Sequence, residues 1–344
     1  MRRQQKTGAL TWCLAEPRRG ADGLQRPLCS RFQPQLPPGV GLQQGIQTLQ
    51  ANQARTEGMD NYQEETYGER IAGIYDTWYP DYEVSVIAAL HHLAQGGRAL
   101  ELGIGTGRIA LPLQHAGLDV HGIEASEAML ARLRAKPGGA TIPMTLGNFA
   151  DVAVDGHYAL IYVLFNTFFA LLTQEEQVRC VRNVAQHLTP QGVFVVEAFV
   201  PDLTRFSGQQ ALRTVRISTH DVRLEASQHD PVLQQITSQY LVVTEEGTRL
   251  YPVQLRYVWP AELDLMAQLA GLRHQDRWGD WQGACFPGTV ANIFRSMSAL
   301  YRLVGREKRT EVQGGRRCQT RPNQGVQATA NSVRSCLAPA LCCA

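Results

Sequence analysis

ALELGIGTGRIALPL, residues 99–113, sets an apolar run, a glycine-rich turn and a helix start in immediate succession. Gly103, Gly105 and Gly107 remove side chains where the chain must turn sharply and where backbone must come close to a ligand. The helix start that follows presents unpaired N–H groups. A GxGxG string alone fits an ordinary turn as well as a binding loop. The next apolar run shifts the balance: VHGIEAS carries Glu124 at its end, 21 residues beyond Gly103. A carboxylate there can accept two ribose hydroxyl hydrogen bonds, the arrangement by which doubly wound folds read a nucleoside beyond the carboxyl ends of their strands.

Outward from this pair, strand-like runs alternate with helical patterns in the order of a parallel sheet with helices on both faces. RALELG and LDVHGIEA supply the first two strands, PMTLGN the third, YALIYVLFN the fourth and GVFVVEAFV the fifth. Between the last two, QEEQVRCVRNVAQHL opens with acidic residues, puts Val178, Val181, Val184, Ala185 and Leu188 on one face, and stops before Pro190 and Gly192. The prediction is an α/β, doubly wound, Rossmann-like sheet. After Val200 the pattern changes to polar–apolar alternation in ALRTVRIS, DVRLEAS, QITSQYLVVT and YPVQLRYVW. These read as antiparallel strands, an insertion over 201–259 that covers the ligand-binding edge of the sheet. A helix in ELDLMAQLAGL and a terminal strand near 289–297 complete the domain.

Charge is unevenly placed. Residues 1–58 hold eight Lys/Arg against three Asp/Glu and residues 302–344 hold eight against two, so with a whole-chain charge of +2 the segment 59–301 carries −9. An acidic folded surface lacks the Lys/Arg footprint of a nucleic-acid binder, and no nucleic-acid partner is expected. Both tails lack sustained apolar periodicity and are expected to be disordered, flanking a domain at 59–301. Organised sequence begins right after Met59, which suggests that residue as the natural start; abundant upstream peptides in the native host would reject this. Six of the eight cysteines fall in the tails, leaving Cys180 and Cys285 far apart, so neither a disulfide framework nor a metal site is expected. No apolar run approaches the ~20 residues of a membrane span, and the N-terminus lacks a secretory apolar region. A cytoplasmic location is the default expectation.

With these motifs in order, the chain resembles the class I S-adenosylmethionine-dependent methyltransferases, especially their small-molecule branch, over roughly Tyr67 to Ser298. The resemblance implies that Glu101 lies near the methionyl amino group of S-adenosylmethionine, that Gly103, Gly105 and Gly107 form its loop, and that Glu124 binds the ribose beside Ala125 at the adenine. In GNFAD, Asn148 and Phe149 take the adenine-holding places, with Asn where Asp is more common. In LFNTFFALLTQEEQ, Leu164 and Phe165 lie along the cofactor and Asn166 near the acceptor. IAGIYDTWY matches the N-terminal lid helix and offers Tyr75 to the methionyl end.

The chemistry so implied is in-line displacement at a methyl carbon, which needs alignment more than a catalytic triad. Glu197 and His157 are the candidate bases for an N or O nucleophile of a small-molecule acceptor. Trp278, in the aromatic run with Trp281 and Phe286, is a candidate acceptor contact, although core packing of the terminal strands is the more common use of such a run. Two other readings stay open at this stage. An NAD(P)-dependent oxidoreductase would want G-x-G-x-x-G, whereas here the third glycine comes one position early and Arg108 stands in its place. A non-catalytic nucleoside-binding protein would keep the loop and lack an acceptor pocket. The antiparallel strands suit either a cap on the site or pairing across a two-fold axis into a homodimer.

Overall fold

Parallel strands need crossovers, and the glycine-rich turn supplies the first of them. In the computed structural model, which describes Met59 and residues 61–283 and 299–305, β1 (Ala99–Leu102) is buried at every position and runs straight into that turn. β2 (Val120–Glu124), β3 (Met144–Leu146) and β4 (Tyr158–Val163) follow as the sequence predicts, and β5 (Leu188–Ala198) starts four residues before the predicted GVFVVEAFV, so that Leu188, expected on the preceding helix, opens the strand. They join in the order β3-β2-β1-β4-β5, all parallel. The order reverses at β1, so the loops after β1 and β4 diverge and leave a crevice at the carboxyl end of the sheet.

Alternation along the strands divides the core between the two faces. Leu100, Leu102, Ile161, Val163, Phe194 and Val196 share one apolar cluster, and Ala99, Leu160, Tyr162, Val193 and Val195 share the other. The second face is covered by α3 (Val84–Ala94), α4 (Ala110–His115) and α5 (Glu127–Arg134) through Leu90, Leu113 and Leu133. The first is covered by α6 (Gln174–His187) and α7 (Pro260–Leu269) through Val181, Val184, Leu263 and Met266. α6 begins with a capping box in which the Thr173 hydroxyl accepts from the Glu176 N–H and the Glu176 carboxylate accepts from the Thr173 N–H.

Beyond β5 the chain forms a separate four-stranded antiparallel meander, β6 (Gln210–Ile217), β7 (Asp221–Asp230), β8 (Gln235–Thr244) and β9 (Gly247–Arg256). It occupies the predicted insertion. Two strands then return to the main sheet: β10 (Leu272–Trp278) pairs antiparallel with β11 (Ala299–Gly305), which pairs antiparallel with β5. β11 continues through Gly305, past the boundary expected at Tyr301, and β10 is an edge strand that the sequence reading did not identify. The strand expected near 289–297, Cys285, Phe286, the N-terminal tail over 1–58 and the C-terminal tail beyond Gly305 lie outside the described residues. Every element described here belongs to the unit that begins at Asn61. Among the described residues no helix is long and apolar enough to cross a membrane.

Candidate active site

The turn after β1 is built from left-handed backbone. Gly103, Gly105 and Gly107 have φ of +73°, +56° and +77°. At Gly107 an added Cβ would stand 2.3 Å from Leu133 Cδ1, so this glycine serves helix packing and does not reach the crevice. At Gly105 an added Cβ would meet no protein atom within 4 Å. Its side-chain space opens into a cleft, as expected where backbone must approach a ligand. Glu124 ends β2 beside this turn, and its carboxylate accepts from Gly105 N at 2.8 Å and from Ser126 N at 3.0 Å. Burial holds its carboxyl above the ordinary carboxylate range, against those backbone donors.

The cleft lies between the glycine turn and the antiparallel insertion. One wall is the glycine turn with Glu124, Ala125, Met129 and Phe149; the other is the insertion, through Tyr240, Val253, Gln254 and Leu255. The antiparallel strands therefore do cover the ligand-binding edge. The floor is the loop after β4, with Phe165 and Asn166 at φ of +54° and +65°. Two successive non-glycine residues in that region cost roughly 1–3 kcal/mol each and persist only where neighbours hold them. Glu197 does so from the end of β5. Its Oε2 accepts from Phe165 N at 3.1 Å, its backbone oxygen accepts from Asn166 N at 3.2 Å, and Asn166 Oδ1 accepts from Phe199 N at 2.7 Å.

Of the residues expected at the site, Gly103, Gly105, Glu124, Ala125, Phe149, Phe165, Asn166 and Tyr75 line the cleft. Glu101 lies beneath the turn, 5% exposed, accepting from the Tyr162 hydroxyl at 3.0 Å. Leu164 is buried in the core behind the loop. Asn148 stands at the rim, where its Oδ1 accepts from Ala150 N at 2.8 Å and its Nδ2 donates to Glu64, a residue of the cleft.

Three assignments need correction. His157 precedes β4 and is exposed, at the end of the sheet opposite the crevice, so it is no base for chemistry there. Glu197 faces the Phe165 amide and the Trp281 indole N–H at 3.2 Å; it shapes the floor and does not line the cleft. Trp278 packs with Trp281 against the core beneath α3 and α4, and it is absent from the cleft lining.

The segment IAGIYDTWY, expected as a lid helix, is part of a longer strap that begins upstream of it. α1 (Thr66–Ile71) and α2 (Tyr75–Trp78) lie over the cleft and bring Tyr62, Glu64, Tyr67 and Tyr79 to its wall. Their anchors are polar. Glu69 accepts from Ser126 Oγ at 2.8 Å and Ala128 N at 3.0 Å, and those bonds hold its carboxyl below the usual range. Asp76 accepts from Thr106 Oγ1 at 2.6 Å and from Lys136 Nζ at 2.9 Å, and Lys136 also donates to Thr106 O at 2.8 Å. The strap is thus tied to the glycine turn itself. The lid-helix resemblance of IAGIYDTWY signalled the strap in the sequence, and these anchors were not signalled. Asp76→Ala removes both anchors of α2, and we expect about tenfold weaker binding of S-adenosylhomocysteine by calorimetry, the bonds being charge-assisted but partly exposed. Unchanged affinity would show that the strap is held elsewhere.

Burial raises the Glu101 carboxyl from its ordinary 4.5 to about 8, opposed by the Tyr162 hydrogen bond and by Arg108. The folded chain thus keeps a proton that the unfolded chain has released above pH 4.5, so this group's contribution to stability is lost as pH rises towards and through 8. Glu101→Gln, which keeps an acceptor for Tyr162, should flatten the fall in Tm between pH 5 and 9. Parallel Tm profiles for parent and variant would contradict it. Among the described residues no cluster of His, Cys, Asp and Glu is arranged to hold a metal ion.

Residues 99–192 match the methyltransferase domain family. A cypemycin N-terminal methyltransferase from a Streptomyces species is 29% identical over 194 residues, 56% of this chain and 79% of that protein. The dTDP-3-amino-3,4,6-trideoxy-alpha-D-glucopyranose N,N-dimethyltransferase of Streptomyces venezuelae is 30% identical over 171 residues, 44% of this chain and 70% of that one. Among solved structures, the CcbJ methyltransferase from Streptomyces caelestis is 39% identical and superposes with a TM-score of 0.65, covering 71% of this chain and 99% of that one.

Proposed function

The chain belongs to the class I S-adenosylmethionine-dependent methyltransferases, and from that premise we propose that it methylates a nitrogen of a small-molecule amine. The cofactor assignments follow the cleft. Glu124 takes the ribose hydroxyls, Ala125, Met129 and Phe149 sandwich the adenine, Asn148 reads its edge from the rim, and Gly103 and Gly105 let the backbone approach the methionyl part. Tyr75 closes over that end. The residues present fit the group: a half-buried carboxylate faces the cleft and the Gly105 side-chain space is open.

S-adenosylmethionine supplies a methyl group on a positively charged sulfur that departs as a neutral thioether. The protein's part is to hold the acceptor in line and to exclude water, and alignment of this kind can supply ~7–11 kcal/mol of barrier reduction. Tyrosine and phenylalanine rings around the reacting centre favour the cationic ligand electrostatically.

The observation that carries nitrogen over oxygen is the lack of a disengaged base. Among the described lining residues there is no His, Lys or Cys. The two carboxylates are occupied, Glu64 by Asn148 and Glu124 by backbone N–H groups. Burial also holds the Tyr67 phenol well above its ordinary value, so it stays protonated. A hydroxyl acceptor needs its proton taken in the transition state, whereas a neutral amine attacks with its own lone pair and releases a proton afterwards. The name of one curated relative, an N,N-dimethyltransferase, agrees with this reading. The test supplies matched amines and alcohols with labelled S-adenosylmethionine and follows kcat/KM against pH. Transfer to amines, rising with the acceptor's free-base fraction, supports the reading; transfer to alcohols alone overturns it. Residues 59–305 are proposed as the catalytic unit, with the single chain sufficient for the site.

A further inference from the structure

One row of residues crosses the whole insertion. Arg213 on β6 stands directly opposite Glu225 on β7, Glu225 opposite Tyr240 on β8, and Tyr240 opposite Tyr251 on β9. Directly opposed residues share a face of a sheet, and this face is the one turned to the strap. The Trp78 ring lies 6.1 Å from Tyr240 and 5.2 Å from Tyr251, and the Arg223 guanidinium sits 3.6 Å over Trp78.

The Glu225 side chain is fully buried, yet it is heavily partnered. The Arg213 Nε donates to it, Ser227 Oγ donates at 3.0 Å, Ser238 Oγ lies 3.3 Å away, and Arg205 Nη2 is 3.9 Å away. A buried charge persists only with such a set, and the set fixes the rotamers of everything it touches. Arg213 also hydrogen-bonds the Tyr240 hydroxyl. A guanidinium donates and never accepts, so the Tyr240 oxygen is the acceptor of that bond and its own proton is directed away from Arg213. Tyr240 lines the cleft opposite the glycine turn. The row therefore ends in a tyrosine on the insertion wall of the cleft, whose hydroxyl proton is left for a partner other than Arg213.

We propose that Tyr240 donates a hydrogen bond to an oxygen of the methyl acceptor, with Arg213 and Glu225 as the positioning residues that aim it. The acceptor class is thereby narrowed to amines that carry a carbonyl or hydroxyl oxygen near the nitrogen. This rests on the N-methylation reading for the amine, and on the Arg213–Glu225–Tyr240 row alone for the oxygen.

The test uses the full chain and three amine pairs that differ in a neighbouring oxygen: 3-hydroxypiperidine and piperidine, glycinamide and ethylamine, glucosamine and cyclohexylamine. With kcat/KM referred to the free-base concentration of each amine, the parent should favour the oxygen-bearing member of at least one pair by more than about tenfold, since a site built to hydrogen-bond an oxygen discriminates against its absence. Tyr240→Phe should bring that ratio to within about twofold of unity through KM, with the Kd for S-adenosylhomocysteine changed by less than about twofold. Glu225→Gln should move the ratio the same way, and Arg213→Lys, which keeps a cationic donor, should retain part of it. An unchanged ratio in Tyr240→Phe, equal losses for both members of a pair, or weakened S-adenosylhomocysteine binding in Tyr240→Phe would each overturn the inference. Transfer to none of the six amines would sink the N-methylation reading and this inference with it. Transfer to the oxygen-free amines alone would sink only the inference.

Discussion

Glu124→Ala should weaken S-adenosylmethionine binding by at least about a hundredfold while leaving the fold in place. Two effects add. Among the described lining residues Glu124 is the carboxylate on the β2 side of the cleft, proposed above to take the ribose, and hydrogen bonds to a charged acceptor contribute ~1.5–3 kcal/mol each. The same carboxylate also braces the glycine turn through Gly105 N at 2.8 Å and the start of α5 through Ser126 N at 3.0 Å, and alanine frees both. Glu124→Gln keeps one acceptor oxygen and should fall between parent and alanine. Calorimetric titration measures all three, and an alanine variant within about threefold of the parent would remove Glu124 from the site.

Gly105→Arg should abolish cofactor binding by occupation. Because no protein atom lies within 4 Å of the added Cβ, the new side chain meets no wall and projects into the cleft. The φ of +56° costs a non-glycine residue about 1–2 kcal/mol, which in a domain of this size lowers Tm by a few degrees and leaves the protein folded. Gly107→Ala makes the contrast. Its Cβ would press within 2.3 Å of Leu133 Cδ1, so it should lower stability through packing more than binding through occlusion. Circular dichroism beside the titration separates the two. Binding retained by a folded Gly105→Arg would place the ligand elsewhere.

What the sequence made legible is what local chemistry dictates. The glycine turn and Glu124 are legible from spacing because a strand, a sharp turn and a helix start leave few alternatives, and α6 announced its ends through its opening acidic residues and through Pro190 and Gly192. β10 was not legible because LRHQDRW has no apolar alternation; it is an edge strand whose charges form pairs that exist only in the fold, Arg277 with Asp264 of α7 at 2.7 Å and Asp276 with Arg302 of β11 at 3.4 Å. His157 was misplaced because nearness to a strand in sequence does not say which end. It sits before a strand of six residues, about 20 Å from the end where the crevice opens. Glu197 lies at the correct end, but its direction depends on the left-handed Phe165–Asn166 backbone, which no pattern foretells. The strap's anchors, Asp76 with Thr106 and Lys136 and Glu64 with Asn148, join residues tens of positions apart and exist only once the chain is folded.

Homodimer pairing and a nucleic-acid-free surface remain part of the proposal; size-exclusion chromatography with light scattering addresses the first. The exposed apolar residues Leu212 and Ile217 on the edge strand β6 are where a second copy would pair.

The central claim is that this cleft holds S-adenosylmethionine. Isothermal titration of S-adenosylmethionine into the full chain, run beside NAD and beside the Gly105→Arg variant, tests it most directly. Saturable binding of one S-adenosylmethionine per chain, none of NAD, and loss in the folded variant are the predicted result. A folded parent that gives no heat with S-adenosylmethionine, or that binds NAD in its place, would contradict the account.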